Sequence, residues 1–334
     1  MTVTSTFRAL RVEQAGGEFV AVDLPVPALA DGQVLVRIHA SGVNPLDTKI
    51  RAGQAAHARQ PLPAVLGIDM AGVVEQVGAG VTAFAAGDEV YGMAGGIGGL
   101  QGTLAERIAV DARLLARKPA GLGMREAAAL PLAVITAWEG LVDRARVQPG
   151  QTLLVQGGAG GVGHVAVQLA RARGARVFAT VSAGDFDLVR TWGATPIDFR
   201  SETVADYVGQ HTGGQGFDIV FDAVGGAVLD TSFTAVRRNG GHVVSILGWG
   251  THSLAPLSLR AGTYSGVFTL TPLLSGEGRE QHGAILRAAA ALVDAGQLTP
   301  RLDAHRFTLA SVGAAHELVA TGRGQGKVVV DVAA

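Results

Sequence analysis

One stretch narrows the possible folds of this chain more than any other. Thr152-Leu-Leu-Val-Gln156 runs straight into Gly157-Gly-Ala-Gly-Gly-Val-Gly163, and then into a segment with Val162, Val165, Ala166 and Leu169 along one side. The pattern Gly158-x-Gly160-x-x-Gly163 therefore lies between a buried strand and an amphipathic helix. A turn of this kind presents backbone N–H groups at a helix start with no side chain to block a pyrophosphate. Its third glycine lets the helix lie against the strand. A second match, Gly78-x-Gly80-x-x-Ala83, also follows a strand but leads into Phe84-Ala-Ala-Gly87-Asp88, a turn without a helix, and reads as a hairpin. Only at 158–163 is the strand–loop–helix–strand context complete, so dinucleotide binding is expected there.

The rest of the chain divides around that loop. Phe7–Val12, Gln33–Ala40, Ala71–Val77, Glu89–Tyr91 and Leu104–Val110 are short apolar or alternating runs between Gly, Pro and Asp turns, the pattern of an antiparallel sheet or barrel. Pro45–Arg51 reads as a short helix and Gly92–Gly102 as a loop. Glu126–Val142 reads as a helix kinked at Pro131. Strands and helices then alternate, and runs such as Leu153-Leu-Val155 and Ile219-Val-Phe221 are apolar throughout, which indicates a parallel sheet covered on both faces. Thr263–Leu270 reads as one more strand, followed by helices at Gly283–Ala295 and Ala310–Thr321 and strands at Arg301–Phe307 and Lys327–Val332. The fold class is α/β.

Composition removes several functions. The net charge of −1 offers no field for nucleic acid or anionic lipid. With no cysteine there is no disulfide, thiolate metal site or cysteine nucleophile. The apolar run Ala127–Trp138, bounded by Glu126 and Glu139, falls well short of the ~20 residues that span a bilayer. No secretory signal is visible in Met1–Leu10, so a soluble, cytoplasmic protein is expected. Neither a G-x-S-x-G elbow nor a carboxylate pair speaks for hydrolysis. The tip of the second strand of the α/β segment, Thr180-Val-Ser182, is small and neutral where an NAD site typically carries an acid for the ribose 2′-hydroxyl. That favours NADP(H), with Arg190 and Arg200 as the nearest cations; Asp185 and Asp187 argue the other way, and NAD(H) stays open.

Beyond the loop, the chain resembles the medium-chain dehydrogenase/reductase superfamily over nearly its whole length, specifically the zinc-independent quinone oxidoreductase branch. The resemblance rests on Ser41-Gly-Val-Asn-Pro-Leu-Asp-Thr-Lys-Ile-Arg-Ala-Gly53, Leu66-Gly-Ile-Asp-Met-Ala-Gly72 and Val77-Gly-Ala-Gly-Val81 with Gly87-Asp88. It continues through Gly102-Thr-Leu-Ala-Glu106, Ala127-Ala-Ala-Leu-Pro-Leu132 with Thr136-Ala-Trp138, the glycine loop, Phe217–Gly226 and Gly326-Lys-Val-Val329. It implies a GroES-like, β-rich catalytic domain built from residues 1–123 and 266–334, with a Rossmann doubly wound parallel sheet inserted at 124–265 and the active-site cleft between the two. Zinc-binding relatives have a cysteine where this chain has Asn44 and a His-Glu pair where it has Ile68-Asp69, and their four-cysteine lobe falls near Gly92–Gly102. The nine histidines also lack metal-ligand spacing, so no metal is expected. Without a Lewis acid, alcohol oxidation loses its usual route, whereas a quinone or enone is itself an electron sink.

The resemblance also assigns residues. Asn44 and Asp47 match positions near nicotinamide and substrate, against a plain turn-and-cap role; Lys49, where many relatives have a tyrosine, is a candidate to orient or protonate a reduced carbonyl. Thr136 matches a contact at the nicotinamide end, and Gly158, Gly160, Gly161, Val162 and Gly163 form the phosphate loop. Ser182, Phe199 and Arg200 match the adenosine end, while Ala223, Val224, Leu247, Gly248 and Phe268 follow strand ends lining the cofactor groove. His164 reads as a capping or packing residue. The expected activity is NADPH-dependent reduction of a quinone or α,β-unsaturated carbonyl, that is, a small electrophilic substrate. The alternatives are an enoyl-thioester reductase or a zeta-crystallin-like NADPH-binding protein with little catalysis. A homodimer paired through Thr263–Leu270 is also expected.

Overall fold

The computed structural model describes residues 5–333. The chain divides into two compact units, one of residues up to Leu132 with Leu270–Ala295 and the segment from Pro300 onward, the other of Ala133–Thr269 with Gly296–Thr299. The boundaries expected at 123/124 and 265/266 lie earlier in the chain than these. The helix Met124–Ala128 packs against the strands Gln33–Val43, Asp69–Val77 and Val328–Asp331, which binds it to the first unit.

The first unit is organised around the strand Gln33–Val43, in which Val34, Val36, Ile38 and Ala40 are fully buried. Its first half pairs antiparallel with Arg107–Asp111 and its last residues with Val328–Asp331, while Asp69–Val77 runs along its other edge. The end of the chain thus completes a sheet begun near its start. Asp69–Val77 in turn pairs with Glu89–Met93, so residues 78–88 are the hairpin connection expected of the second glycine match. Tyr91, fully buried, donates its hydroxyl to the carbonyl of Leu286 at 2.6 Å and ties the helix Arg279–Asp294 to this sheet.

The second unit is a six-stranded sheet, parallel throughout, in the order Thr195–Asp198, Arg176–Val181, Thr152–Gln156, Ile219–Asp222, His242–Ser245, Thr263–Gly266. Numbered along the chain this is 3-2-1-4-5-6, with the order reversing between Thr152–Gln156 and Ile219–Asp222. Leu153, Leu154 and Val155 are fully buried, and each contributes ~1.5–3 kcal/mol by leaving water. The helices Gly163–Ala172 and Ala227–Ala235 pack against the sheet's strands.

Three elements differ from their sequence reading. The helix expected over Glu126–Val142 is Met124–Ala128 and Pro131–Trp138, continued by the wider turn Glu139–Arg144. Pro131 opens the second helix instead of kinking one, because the first helical position needs no N–H donor. The strand expected over Thr263–Leu270 ends at Gly266; Val267 still donates to the Ser245 carbonyl, but the chain then turns into the helix Thr271–Ser275. Of Arg301–Phe307, only Phe307 pairs as strand, with a single bridge at Leu302.

Candidate active site

In the second unit, register decides what lies together. Val181 stands beside Asp198, Gln156 beside Asp222, Asp222 beside Ser245, and Ser245 beside Gly266. The segments that follow these residues therefore all emerge at the carboxyl end of one sheet: the glycine loop, Ser182, Phe199–Arg200, Ala223–Val224, Leu247–Gly248 and Phe268. The glycine loop sits where the strand order reverses, the position at which open parallel sheets bind ligands.

Buried polar groups fix these loops. Thr180 Oγ1 donates to Gln156 Oε1 at 2.8 Å and accepts the Gly157 N–H at 3.0 Å, and the Gly158 N–H donates to the Thr180 carbonyl. The fully buried Asp222 accepts from the amides of Val224 and Gly225 at 3.0 Å and from Ser245 Oγ at 2.7 Å, and Ser245 Oγ accepts from the Leu247 amide. At the far end, Ser182 Oγ donates to Asp185 Oδ2 and Asp187 pairs with Arg190 at 2.8 Å. Phe199 is 56% exposed, with the exposed Arg200 guanidinium 5.6 Å from its ring centre. Thr136 is buried in the helix Pro131–Trp138. The Nδ1 of His164 lies 3.0 Å from the Gly160 carbonyl, a contact of the packing kind.

In the first unit, the strand Gln33–Val43 ends at Asn44, which caps the helix Pro45–Arg51. The Asn44 backbone N–H donates to Asp47 Oδ2 at 2.8 Å, while its side chain turns the other way, donating from Nδ2 to Asp69 Oδ2 at 3.0 Å and accepting at Oδ1 from Lys327 Nζ. Lys327 Nζ is also 4.0 Å from Asp69 Oδ2, and Asp69 Oδ1 accepts the Leu132 amide at 3.0 Å. All four side chains are buried. Asp47 Oδ1 has no hydrogen-bond partner among the described residues. Lys49, by contrast, is exposed on the helix, outside this cluster.

Burial governs the ionisation of the cluster. It pushes the Asp47 carboxyl up to about 7 and the Asp69 carboxyl up to about 6, against the opposing pull of their hydrogen bonds and of Lys327. Burial also lowers the Lys327 ammonium, and the two carboxylates pull it back up. A carboxyl held near neutrality in a buried polar cluster is equipped to hold or release a proton.

Sequence reasoning reached Asn44 and Asp47 but gave no role to Asp69 or Lys327, which complete their surroundings. The signal was present: a lysine opening the run Val328-Val-Val330 in a buried strand needs a buried partner.

The chain matches family models described as "Alcohol dehydrogenase GroES-like domain" over residues 30–120 and "Zinc-binding dehydrogenase" over residues 192–330. It is 35% identical to an NADPH-dependent alkenal/one oxidoreductase of Arabidopsis thaliana, covering 92% of this chain and 74% of the relative. It is 31% identical to a human quinone oxidoreductase, covering 97% of each. Among solved structures, an alcohol dehydrogenase superfamily protein from Novosphingobium aromaticivorans superposes with a TM-score of 0.96 at 59% identity, covering 98% of this chain and all of the other. The chain belongs to the medium-chain dehydrogenase/reductase superfamily, in its quinone oxidoreductase-like branch. It is an oxidoreductase.

The zinc named in one of these family descriptions does not suit this donor set. Asn44 offers a neutral amide already bonded at both ends, Ile68 offers nothing, and Asp69 faces the Lys327 ammonium. Among the described residues no three His, Cys, Asp or Glu side chains group as a metal site. The carboxyl end of the parallel sheet does suit a dinucleotide: a Cβ on Gly158 would stand 2.5 Å from the Ala179 Cβ, so the loop is built for close backbone approach.

Proposed function

We propose that this protein is a zinc-independent, NADPH-dependent reductase of quinones or α,β-unsaturated carbonyl compounds. Bound nicotinamide supplies a hydride to an electron-poor carbon, and the acceptor's own conjugation takes up the charge. The observation that carries this reading is the meeting of all the expected nucleotide-binding segments of the sheet at one end of it, around a glycine loop at the reversal of strand order. The loop amides of Gly158–Gly163 would hold the diphosphate, and Ala223–Val224, Leu247–Gly248, Phe268 and Thr136 would border the rest. Ser182, Phe199 and Arg200 would take the adenosine end. NADPH is favoured over NADH because Asp185 and Asp187 are already engaged, by Ser182 and Arg190, while Arg200 stays exposed. The activities by which the Arabidopsis and human relatives are named support the two acceptor classes.

Asn44 and Asp47 would serve the acceptor, Asp47 as the group that holds or releases a proton; Lys49 would act as an exposed polar contact. A cytoplasmic enzyme acting on a small diffusible substrate is part of the proposal; no helix among the described residues is long and apolar enough to cross a membrane. A homodimer joined through the sheet's end strand Thr263–Gly266 is also proposed, since an end strand offers unpaired backbone groups to a second copy. The test is steady-state oxidation of NADPH and of NADH with 1,4-naphthoquinone, an enone series and a crotonyl thioester. Turnover of a quinone or enone with preference for NADPH is expected; turnover of the thioester alone moves the enzyme to the enoyl-thioester reductases, and nucleotide binding without turnover makes it a binding protein. Light scattering returning a single chain mass would remove the dimer.

A further inference from the structure

The buried cluster around Asn44 has three charged members, and their arrangement is not that of a simple helix cap. A cap needs only the bond between Asp47 and the Asn44 amide. The remaining contacts form a second line: Lys327 Nζ to Asn44 Oδ1, Asn44 Nδ2 to Asp69 Oδ2, with ammonium and carboxylate 4.0 Å apart. An amide can rotate by a half-turn and exchange its oxygen and nitrogen at almost no steric cost. Here that rotation would set NH2 against ammonium and oxygen against carboxylate, two repulsions that burial leaves weakly screened. The orientation of Asn44 is therefore fixed electrostatically, from both ends.

We propose that Lys327 is a positioning residue of the reductase site, the internal cation that holds the Asn44 amide in one orientation between itself and Asp69 and offsets the paired carboxylates of Asp47 and Asp69. The proposal rests on the reading that Asn44 and Asp47 serve the acceptor. With Lys327 in place, the cluster carries two acids against one base, and one proton suffices to make it neutral. Without Lys327, two acids flank Asn44 in a buried site, one on its backbone N–H and one on its side chain, and the amide is held at one end only. The other charged or titratable groups on the elements around Asp47 are committed elsewhere or set apart. Arg51 lies over the Phe19 ring and donates to the Gly17 carbonyl, Arg125 pairs with Asp331, and His316 packs edge-on against Phe19. Lys49 is exposed, and His39 is subject to Arg37 and Glu89 instead. The lysine also explains why a zinc ion does not suit these residues: the place of a metal cation beside Asp69 is already taken by an ammonium.

The experiment compares the full-length protein with Lys327→Met, Lys327→Arg and the double variant Asp69→Asn/Lys327→Met, which removes both charges of the pair and guards against loss of folding in the single variant. Lys327→Met should lower kcat roughly 10- to 100-fold, the usual effect of losing a group that orients a working side chain, with NADPH affinity by Trp fluorescence within twofold. Lys327→Arg should recover most of that loss. The double variant should fold and stay slow. Because Lys327 opposes protonation of both carboxyls, its removal should shift to higher pH the limb of the pH–rate profile that these carboxyls set. The carboxyl infrared bands assigned with Asp47→Asn should shift the same way in the protein without substrate. A Lys327→Met enzyme with unchanged kcat and unchanged carboxyl titration overturns the proposal. If the wild type turns over no acceptor at all, the functional reading fails, and the infrared titration still decides whether Lys327 sets the state of this cluster.

Discussion

Gly163 and Gly157 stand so close that a Cβ on Gly163 would lie 2.0 Å from the Gly157 carbonyl oxygen. The start of the helix Gly163–Ala172 is thereby pressed against the end of the strand Thr152–Gln156. The obstructing atom belongs to the backbone, so it has no rotamer by which to yield. Gly163→Ala should cost about 1–3 kcal/mol of stability and weaken NADPH binding at least tenfold. Gly160→Ala, whose added Cβ would sit 3.2 Å from the same oxygen, should be milder in both respects. Urea denaturation and fluorescence titration of the two variants check the ranking.

Asp222 and Ser245 join two neighbouring loops at the carboxyl end of the sheet. Ser245→Ala removes the link from Asp222 to the Leu247 amide and should cost ~1 kcal/mol, with a weaker hold on NADPH. Asp222→Ala strands the amides of Val224 and Gly225 as well and should cost more. Thermal melting with and without NADPH would show both losses, and equal effects from the two substitutions would contradict the network.

Arg200 should set nucleotide preference. It is exposed, so Arg200→Ala should raise the NADPH dissociation constant by only about tenfold and leave NADH binding unchanged. A parallel loss for both nucleotides would place the 2′-phosphate elsewhere.

Two buried histidines of the first unit should contribute less to its stability as the pH falls. Burial lowers His282 to about 4 and His316 to about 3, both below the ordinary 6.5. The unfolded chain then binds protons that the folded chain refuses, so the histidines' contribution to stability falls as pH drops below 6.5, by ~1.4 kcal/mol per pH unit for each histidine. Asp47 and Asp69 act in the opposite sense, since raised carboxyls lose stability as pH rises toward about 7 and about 6. Comparing wild type with His316→Leu in urea at pH 7 and pH 5 isolates the histidine, and the variant should lose less on acidification.

What was legible in the sequence follows from how local each feature is. The glycine loop and the apolar strands declare themselves within a few residues, because close approach and two-sided burial act on neighbours. Strand ends are set by partners far away. Thr263–Leu270 looks uniformly strand-like, yet only Thr263–Gly266 has a neighbouring strand to pair with. Pro131 reads as a kink within one helix because the division into two cannot be seen without the sheet that Met124–Ala128 packs against. Asn44 and Asp47 sit in a recognisable motif; Lys327 and Asp69 join them only because the last strand returns to the edge of Gln33–Val43. Local sequence says that Lys327 needs a buried partner, but not which one.

The most direct test of the account is a single-turnover experiment in which the protein, exhaustively dialysed against a chelator and checked by elemental analysis, is loaded with NADPH and mixed with 1,4-naphthoquinone or an enone. The account predicts loss of nicotinamide absorbance in one exponential, at a rate that added zinc does not raise. Failure of both coenzyme forms to bind, or turnover that appears only with stoichiometric zinc, would contradict it.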